Sequence, residues 1–258
     1  MAAPFSPAGI RAILLDIEGT TTPVDFVYGV LFPFARAGVE EFLRRHHEND
    51  EVRADLEALR QQRAVEAKQL TDLPPWRDDS GEALVSSAAA FCRWLMDHDR
   101  KFTALKSLQG KIWEAGYRSG ELRGQVYTDV GLAFARWLRQ GKEMAIFSSG
   151  SALAQKLLFA HSTTGDLTPF LRAYFDTTTG PKQEAESYRR IAAALELPPA
   201  AILFLSDAIA ELDAARSAGL ATALCRRSAH APAGTTAAAV SPGVASHPII
   251  HTFDQVFP

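Results

Sequence analysis

Cysteine is scarce. The 258 residues contain only Cys92 and Cys225, each in apolar surroundings. Two such thiols make no disulfide framework and no thiolate metal cluster. They read as buried free thiols and fit a reducing compartment. Long apolar runs are missing as well. None approaches the ~18 residues that a membrane-spanning helix needs. The N-terminal run, preceded by the single basic residue Arg11, is cut by Asp16 too early for a secretory signal. Charge of one sign is not in excess either: 27 Lys and Arg face 30 Asp and Glu, a net charge of -3. Such a balance gives no surface for a nucleic acid, so an anionic ligand must be held by local groups. No internal repeat is visible. The expectation is a cytoplasmic monomer acting on a small molecule, with neither nucleic acid nor membrane as partner.

What is present is ordinary globular material, 47% hydrophobic and 22% charged, enough for one large domain or two smaller ones. Short continuous apolar runs occupy Ala12 to Leu15, Met144 to Phe147, Ala201 to Leu205 and Ala221 to Cys225, with a weaker one at Ala173 to Phe175. Runs of this kind mark strands buried on both faces. Helical patterns follow the middle ones, over Ala152 to Ala160, Gln183 to Leu195 and Ala208 to Ala218. Strand, loop and helix in repetition predict an α/β fold, a doubly wound parallel sheet with helices on both faces.

Residues 23–125 read differently. Val52, Leu56 and Leu59 share a helical stripe, as do Leu84, Phe91 and Leu95, and again Leu105, Leu108 and Ile112. Leu73-Pro74-Pro75-Trp76 interrupts the series, and Pro33 is expected to kink or end a helix. This is a helical domain inserted after the first strand, leaving 1–22 and 126–258 for the sheet domain. Residues 228–246, rich in Ala, Pro, Gly, Ser and Thr, read as a surface loop.

The first strand ends in "DIEGTTTP", two carboxylates one residue apart followed by a glycine and three threonines. In open parallel sheets, ligands sit beyond the carboxyl ends of the strands. That rule gathers Asp16 and Glu18 with Ser148 and Ser149, the loop around Lys182, and Asp207. Asp16 and Asp207 can jointly hold Mg²⁺, a hard cation that takes oxygen ligands and keeps several waters. Ser148 and Ser149, at a strand-to-helix turn, can cradle a phosphate at the helix N-terminus. Lys182 adds a positive charge for the same oxygens. A carboxylate can then attack phosphorus to form an aspartyl-phosphate, with metal and ammonium offsetting the repulsion of two anions. Singly, each feature has a plainer account: Asp-x-Glu and Asp207 as solvated or capping acids, Ser-Ser-Gly-Ser as an N-cap, Lys182 as a surface lysine. Four of them in order at successive strand ends argue for a site.

Those four segments, "DIEGTTTP", "SSGS", the Lys182 loop and "LFLSDAIAELDAA", resemble the motifs of the haloacid dehalogenase superfamily of phosphohydrolases. Longer stretches, among them "DRKFTALKSLQGKIWEAGY" and "SSGSALAQKLLFAHSTTGDLTPFLRAYFDT", are similar to its enolase-phosphatase family of methionine salvage, from about Ala12 to Gly219. The resemblance implies Asp16 as nucleophile and metal ligand. It puts Glu18 in place of the usual second Asp, its backbone carbonyl on Mg²⁺ and its side chain left for proton transfer. It implies phosphate on Ser148, Ser149 and Lys182, and Asp207 as the last metal ligand, with one Mg²⁺ per subunit. Glu211, four residues on, falls near metal-bound water. Ser206 stands where the superfamily often has Gly. The implied reaction enolises 2,3-diketo-5-methylthiopentyl-1-phosphate and then dephosphorylates the enol to the acireductone. The inserted domain becomes a cap that excludes water, with Phe26, Tyr28, Trp113 and Tyr117 as readers of the methylthio tail or simply as cap core.

Rival readings are another small-phosphoester phosphatase of the same superfamily and a receiver-type phosphoacceptor module. Receivers are about half this length, one domain, and lack a helical insertion. His247 and His251 are spaced i, i+4, but Pro248 argues against a helical zinc pair. Ser-Ser-Gly-Ser is not G-x-S-x-G, and "TTTGPK" lacks Walker spacing. Arg226 and Arg227 are expected to end a strand in solvent.

Overall fold

The computed structural model describes residues 4–100, 102–227 and 247–258. The stretch 228–246, expected to be a loop, lies outside them. In chain order, β1 (Ala12–Leu15) is followed by a short α1 (Val24–Phe26), a π-helical turn at Val27–Leu31, and α2 (Phe32–His46), α3 (Asp50–Glu66), α4 (Gly81–Asp97) and α5 (Thr103–Ser119). Then come α6 (Val130–Arg139), β2 (Glu143–Phe147), α7 (Ala152–Ala160), β3 (Leu171–Phe175), α8 (Ala185–Ala194), β4 (Ile202–Ser206), α9 (Ile209–Ser217), β5 (Ala221–Cys225) and β6 (Ile249–Ile250).

All six strands pair in parallel, in the order β3-β2-β1-β4-β5-β6. The chain builds outward from β1 on one side, then returns to its other side with β4. That reversal creates the switch point at which such sheets bind ligands. Every residue of β1 is buried, as expected for a strand covered on both faces. Leu14, Phe147, Tyr188, Ile191, Phe204 and Leu212 belong to one core cluster, so the α8 face marked by Tyr188 and Ile191 is the one that packs.

Two compact units emerge: residues 1–27 with 123–258, and residues 28–122. The second has its own core around Val39, Leu59, Phe91 and Leu108. Its helices α3 and α4 start where side chains satisfy the first free amides: the Asn49 side chain accepts from Glu51 N (2.9 Å) and Ser80 Oγ from Ala83 N (3.2 Å). Pro33 does not end a helix. It sits in the first turn of α2, where a proline has no amide bond to forfeit, and the irregularity falls just before it in the π-helical turn. The periodicity of α6, with Val130, Ala133, Phe134 and Trp137 buried, was overlooked in the sequence, as was the two-residue β6. Cys92 and Cys225 are both buried and free. Among the described residues no helix is long and apolar enough to cross a membrane.

Candidate active site

The site grows from strand register. Leu15 of β1 stands opposite Ile146 of β2 and Leu205 of β4. Asp16 therefore emerges one residue beyond its strand position, Ser148 and Asp207 two residues beyond theirs, at the same edge of the sheet. The chain then turns tightly. The Ile17 carbonyl accepts from the amides of Thr20, Thr21 and Thr22 at 3.2, 3.0 and 2.9 Å. Gly19 makes this possible with φ +71°, and a Cβ there would lie 2.2 Å from Asp207 Oδ2. Only glycine allows that conformation and that closeness together.

Asp16 is buried, 4% exposed, and both its oxygens are engaged. Lys182 Nζ donates to Oδ1 at 2.6 Å, and Thr20 Oγ1 donates to Oδ2 at 3.3 Å. Lys182 also lies 2.7 Å from Glu211 Oε2. It is no surface lysine, since its side chain is 9% exposed. Burial works against its charge, but Asp16 and Glu211 outweigh that and hold its pKa above the ordinary value. Burial, and after it the charge of Asp16, pushes Asp207 up to about 6. Burial first and Asp16 second push Glu211 up to about 7, with Lys182 and Ser206 opposing. One ammonium thus bonds Asp16 and Glu211, while Lys182 and Arg226 offset the burial of Asp207 only in part and leave it short of positive charge.

That shortage bears on a metal. Among the described residues no three His, Cys, Asp or Glu side chains are grouped to hold an ion. Two carboxylates at one strand edge are nevertheless the usual protein share of a Mg²⁺ site, which keeps several waters. The donor set is all oxygen, and the site has negative charge to neutralise, so the residues fit this cation.

Ser148 is buried, and its Oγ accepts from Gly150 N at 3.3 Å. Ser149 is exposed. The capping role in Ser-Ser-Gly-Ser belongs to Ser151, whose Oγ accepts from Ala154 N at 3.3 Å, so the two earlier serines are not spent on it. Asp207 makes no cap either. Ser206 Oγ instead accepts from Ala208 N, ahead of the helix, at 3.1 Å and donates to Glu211 Oε2 at 3.0 Å. Glu18 is half-buried and bridges to Thr22. Of the four aromatic candidates, Phe26 and Tyr117 are core residues, 1% and 3% exposed. Tyr28 is 62% exposed, and Trp113 donates its Nε1–H to the Leu31 carbonyl at 2.8 Å.

One expectation changes. Arg227 is not in solvent: its side chain is 5% exposed and paired with Asp129 at 2.5 Å. His247 and His251 serve separate bonds, the first with Thr222 Oγ1 (2.8 Å) and Asp213 Oδ1 (3.2 Å), the second with the Arg226 carbonyl (2.8 Å). Sequence reasoning also missed Asp129 and the bonds that Thr20 and Ser206 make to the site carboxylates. The threonine and serine could have been noticed beside the acids, whereas nothing in the sequence links Asp129 or Arg227 to a loop some 100 to 200 residues earlier.

A parallel sheet with buried carboxylates at its switch point and a lysine bonded to them is the arrangement of a class of hydrolase. The family model for haloacid dehalogenase-like hydrolases matches residues 10–219. Within that class, the enolase-phosphatase E1 of Synechococcus elongatus is 52% identical over 97% of this chain and 99% of its own. That of Sorangium cellulosum is 46% identical over 96% and 97%. The chain belongs to this enolase-phosphatase E1 family of haloacid dehalogenase-like hydrolases. The crystal structure of UTR4 protein from Saccharomyces cerevisiae aligns with a TM-score of 0.74 at 31% identity, covering 95% of this chain and 99% of that one.

Proposed function

We propose that the chain is a Mg²⁺-dependent enolase-phosphatase of methionine salvage. It converts 2,3-diketo-5-methylthiopentyl-1-phosphate through its enol phosphate to acireductone and phosphate, as a cytoplasmic monomer with one Mg²⁺. The observation that carries this reading is the Lys182–Asp16 contact of 2.6 Å, at the switch point of a sheet whose chain is 52% identical to an enolase-phosphatase E1.

The residues divide the work as follows. A proton leaves the carbon next to a carbonyl, taken by a base that we assign to Glu18. Asp16 then attacks phosphorus. The bond from phosphorus to the enol oxygen breaks, and Glu18 returns a proton to that oxygen. Water attacks the aspartyl-phosphate, Glu18 accepts the water's proton, and Asp16 is freed with release of phosphate. Ser148 and Ser149, through hydroxyls and nearby amides, orient the phosphoryl oxygens, while Lys182 holds Asp16 in place and balances the oxygens' charge. Asp16, Asp207 and the Glu18 backbone carbonyl would hold Mg²⁺, which supplies Lewis-acid charge neutralisation at the phosphoryl and enolate oxygens.

Supplying the diketone phosphate with Mg²⁺ tests the whole reading. Acireductone and phosphate should appear together in equal amounts. Phosphate released from generic phosphoesters without turnover of this substrate would reduce the reading to a phosphatase of the same class.

A further inference from the structure

The buried pair Arg227–Asp129 lies outside the site as described, yet it grips the loop that carries the nucleophile. Arg227 donates from Nε (3.0 Å) and from Nη2 (2.7 Å) to one oxygen, the Thr20 carbonyl. Its Nη1 donates to Asp129 Oδ2 at 2.5 Å. The guanidinium carbon lies over the rings of Tyr127 and Phe253, 4.5 and 4.2 Å from their centroids. Asp129 is fixed in turn, since its Oδ2 also accepts from Phe253 N at 2.6 Å. The Tyr127 amide donates to the Thr21 carbonyl at 3.0 Å, a second tie to the same loop.

A buried ion pair is a weak device for stability, because apolar residues of the same volume often serve as well or better. Its placement suggests another purpose. Thr20 is fully buried, and it is the residue whose hydroxyl holds Asp16 Oδ2. At 3.3 Å that bond is long for O–H···O, so a displacement of the Thr20 backbone by a few tenths of an ångström forms it or loses it. With Lys182 on Oδ1 and Thr20 on Oδ2, the plane of the Asp16 carboxylate is fixed only while Thr20 stays in place.

We infer that Arg227, neutralised by Asp129, is a positioning residue for the nucleophile, acting through the Thr20 carbonyl and hydroxyl on Asp16. The inference rests on Asp16 as the attacking group. Arg227 touches none of Ser148, Ser149 or Lys182 through any of these bonds, so substrate phosphate should bind as before.

The test measures phosphate release from the diketone phosphate in the wild type, Asp16→Asn, Arg227→Lys, Thr20→Val and the double variant Thr20→Val/Arg227→Lys. Lysine keeps the buried charge but cannot fork onto one carbonyl while pairing with Asp129. Arg227→Lys should lower kcat about 10- to 100-fold, the scale of a small misplacement of a reacting group, with KM within about twofold of wild type. Thr20→Val should do the same, and the double variant should fall no further, since both act through one bond. Should Arg227→Lys not fold, Arg227→Gln/Asp129→Asn, which removes both buried charges, takes its place with the same expected kcat loss. Wild-type kcat in the Arg227 variants, or losses that multiply in the double variant, overturns the positioning role while leaving an inactive Asp16→Asn to support the nucleophile. Phosphate release by a folded Asp16→Asn overturns both.

Discussion

In the proposed mechanism the chemistry turns on Asp16, and its surroundings leave that side chain little freedom. One oxygen faces an ammonium and the other a hydroxyl. Asp16→Asn keeps the shape but offers no attacking carboxylate and is a poor Mg²⁺ ligand, so phosphate release should be abolished with circular dichroism unchanged. Clear turnover by a folded variant would remove Asp16 from its role. Gly19 makes an equally specific case. A methyl group there would meet Asp207 Oδ2 at 2.2 Å at a backbone φ of +71°, so Gly19→Ala should displace the Asp207 carboxylate and weaken Mg²⁺ binding about tenfold or more, as losing a ligand's support does. Calorimetric titration showing wild-type Mg²⁺ affinity would contradict this. Glu211 makes a prediction about pH. Its carboxyl titrates near 7 in the fold, so between the ordinary carboxylate range and pH 7 the folded chain keeps a proton that the unfolded chain has lost. Stability contributed by this group therefore falls as pH rises through that window. The raised Lys182 value lies beyond it and leaves the slope alone. Glu211→Gln removes the titration. In chelator, its stability relative to wild type should climb from pH 5 to pH 8, by on the order of 3 kcal/mol. A denaturation series showing a constant difference would count against the shift.

At the scale of elements, legibility followed burial. β1 could be bounded from the sequence because a strand covered on both faces is an unbroken apolar run, and β5 because Thr222 alone interrupts its run. The weak run at Ala173 to Phe175 proved to begin two residues earlier, at Leu171, because β3 is an edge strand whose Arg172 is exposed. β6 is two residues long and carries no pattern to read. The sites at strand ends were visible because a local rule places them there. Arg227 was not, because only the fold brings its distant loop to Thr20, and two adjacent arginines after a strand look the same whether buried or solvated. Packing at this scale also yields a prediction. Gly124 lies where the chain passes α7, and a Cβ would stand 2.2 Å from the Leu158 carbonyl oxygen, a backbone atom that cannot swing aside. Gly124 N donates to the His161 carbonyl, and its own carbonyl accepts from Thr163 N, both at 2.8 Å. Gly124→Ala should cost about 1–3 kcal/mol, as overpacking does. Thermal denaturation with an unchanged midpoint would show that the segment yields more easily than its bonds suggest.

The whole molecule has to perform two reactions with one set of groups. In the proposed mechanism phosphoryl transfer requires Asp16, whereas enolisation requires only a base and a stabilised enolate. Where most superfamily phosphatases carry a second Asp, this chain carries Glu18, half-buried beside the nucleophile. The extra carbon bond sets its carboxyl ~1.5 Å further out, a reach that would let it serve both the substrate carbon and the leaving oxygen. If Glu18 is the base for both steps, Glu18→Gln slows enol formation and phosphate release together, each by about 10²–10⁴-fold, the usual contribution of a general base. If the base lies elsewhere, the variant forms the enol phosphate at the wild-type rate and stalls there, because the leaving oxygen no longer receives its proton. Asp16→Asn is the natural comparison, since it should stop phosphate release while leaving the enolisation base in place. Rapid mixing of each variant with the diketone phosphate, followed through the enol chromophore, separates the two cases. Enol formation at the wild-type rate in Glu18→Gln would assign the first step to another group and confine Glu18 to the second.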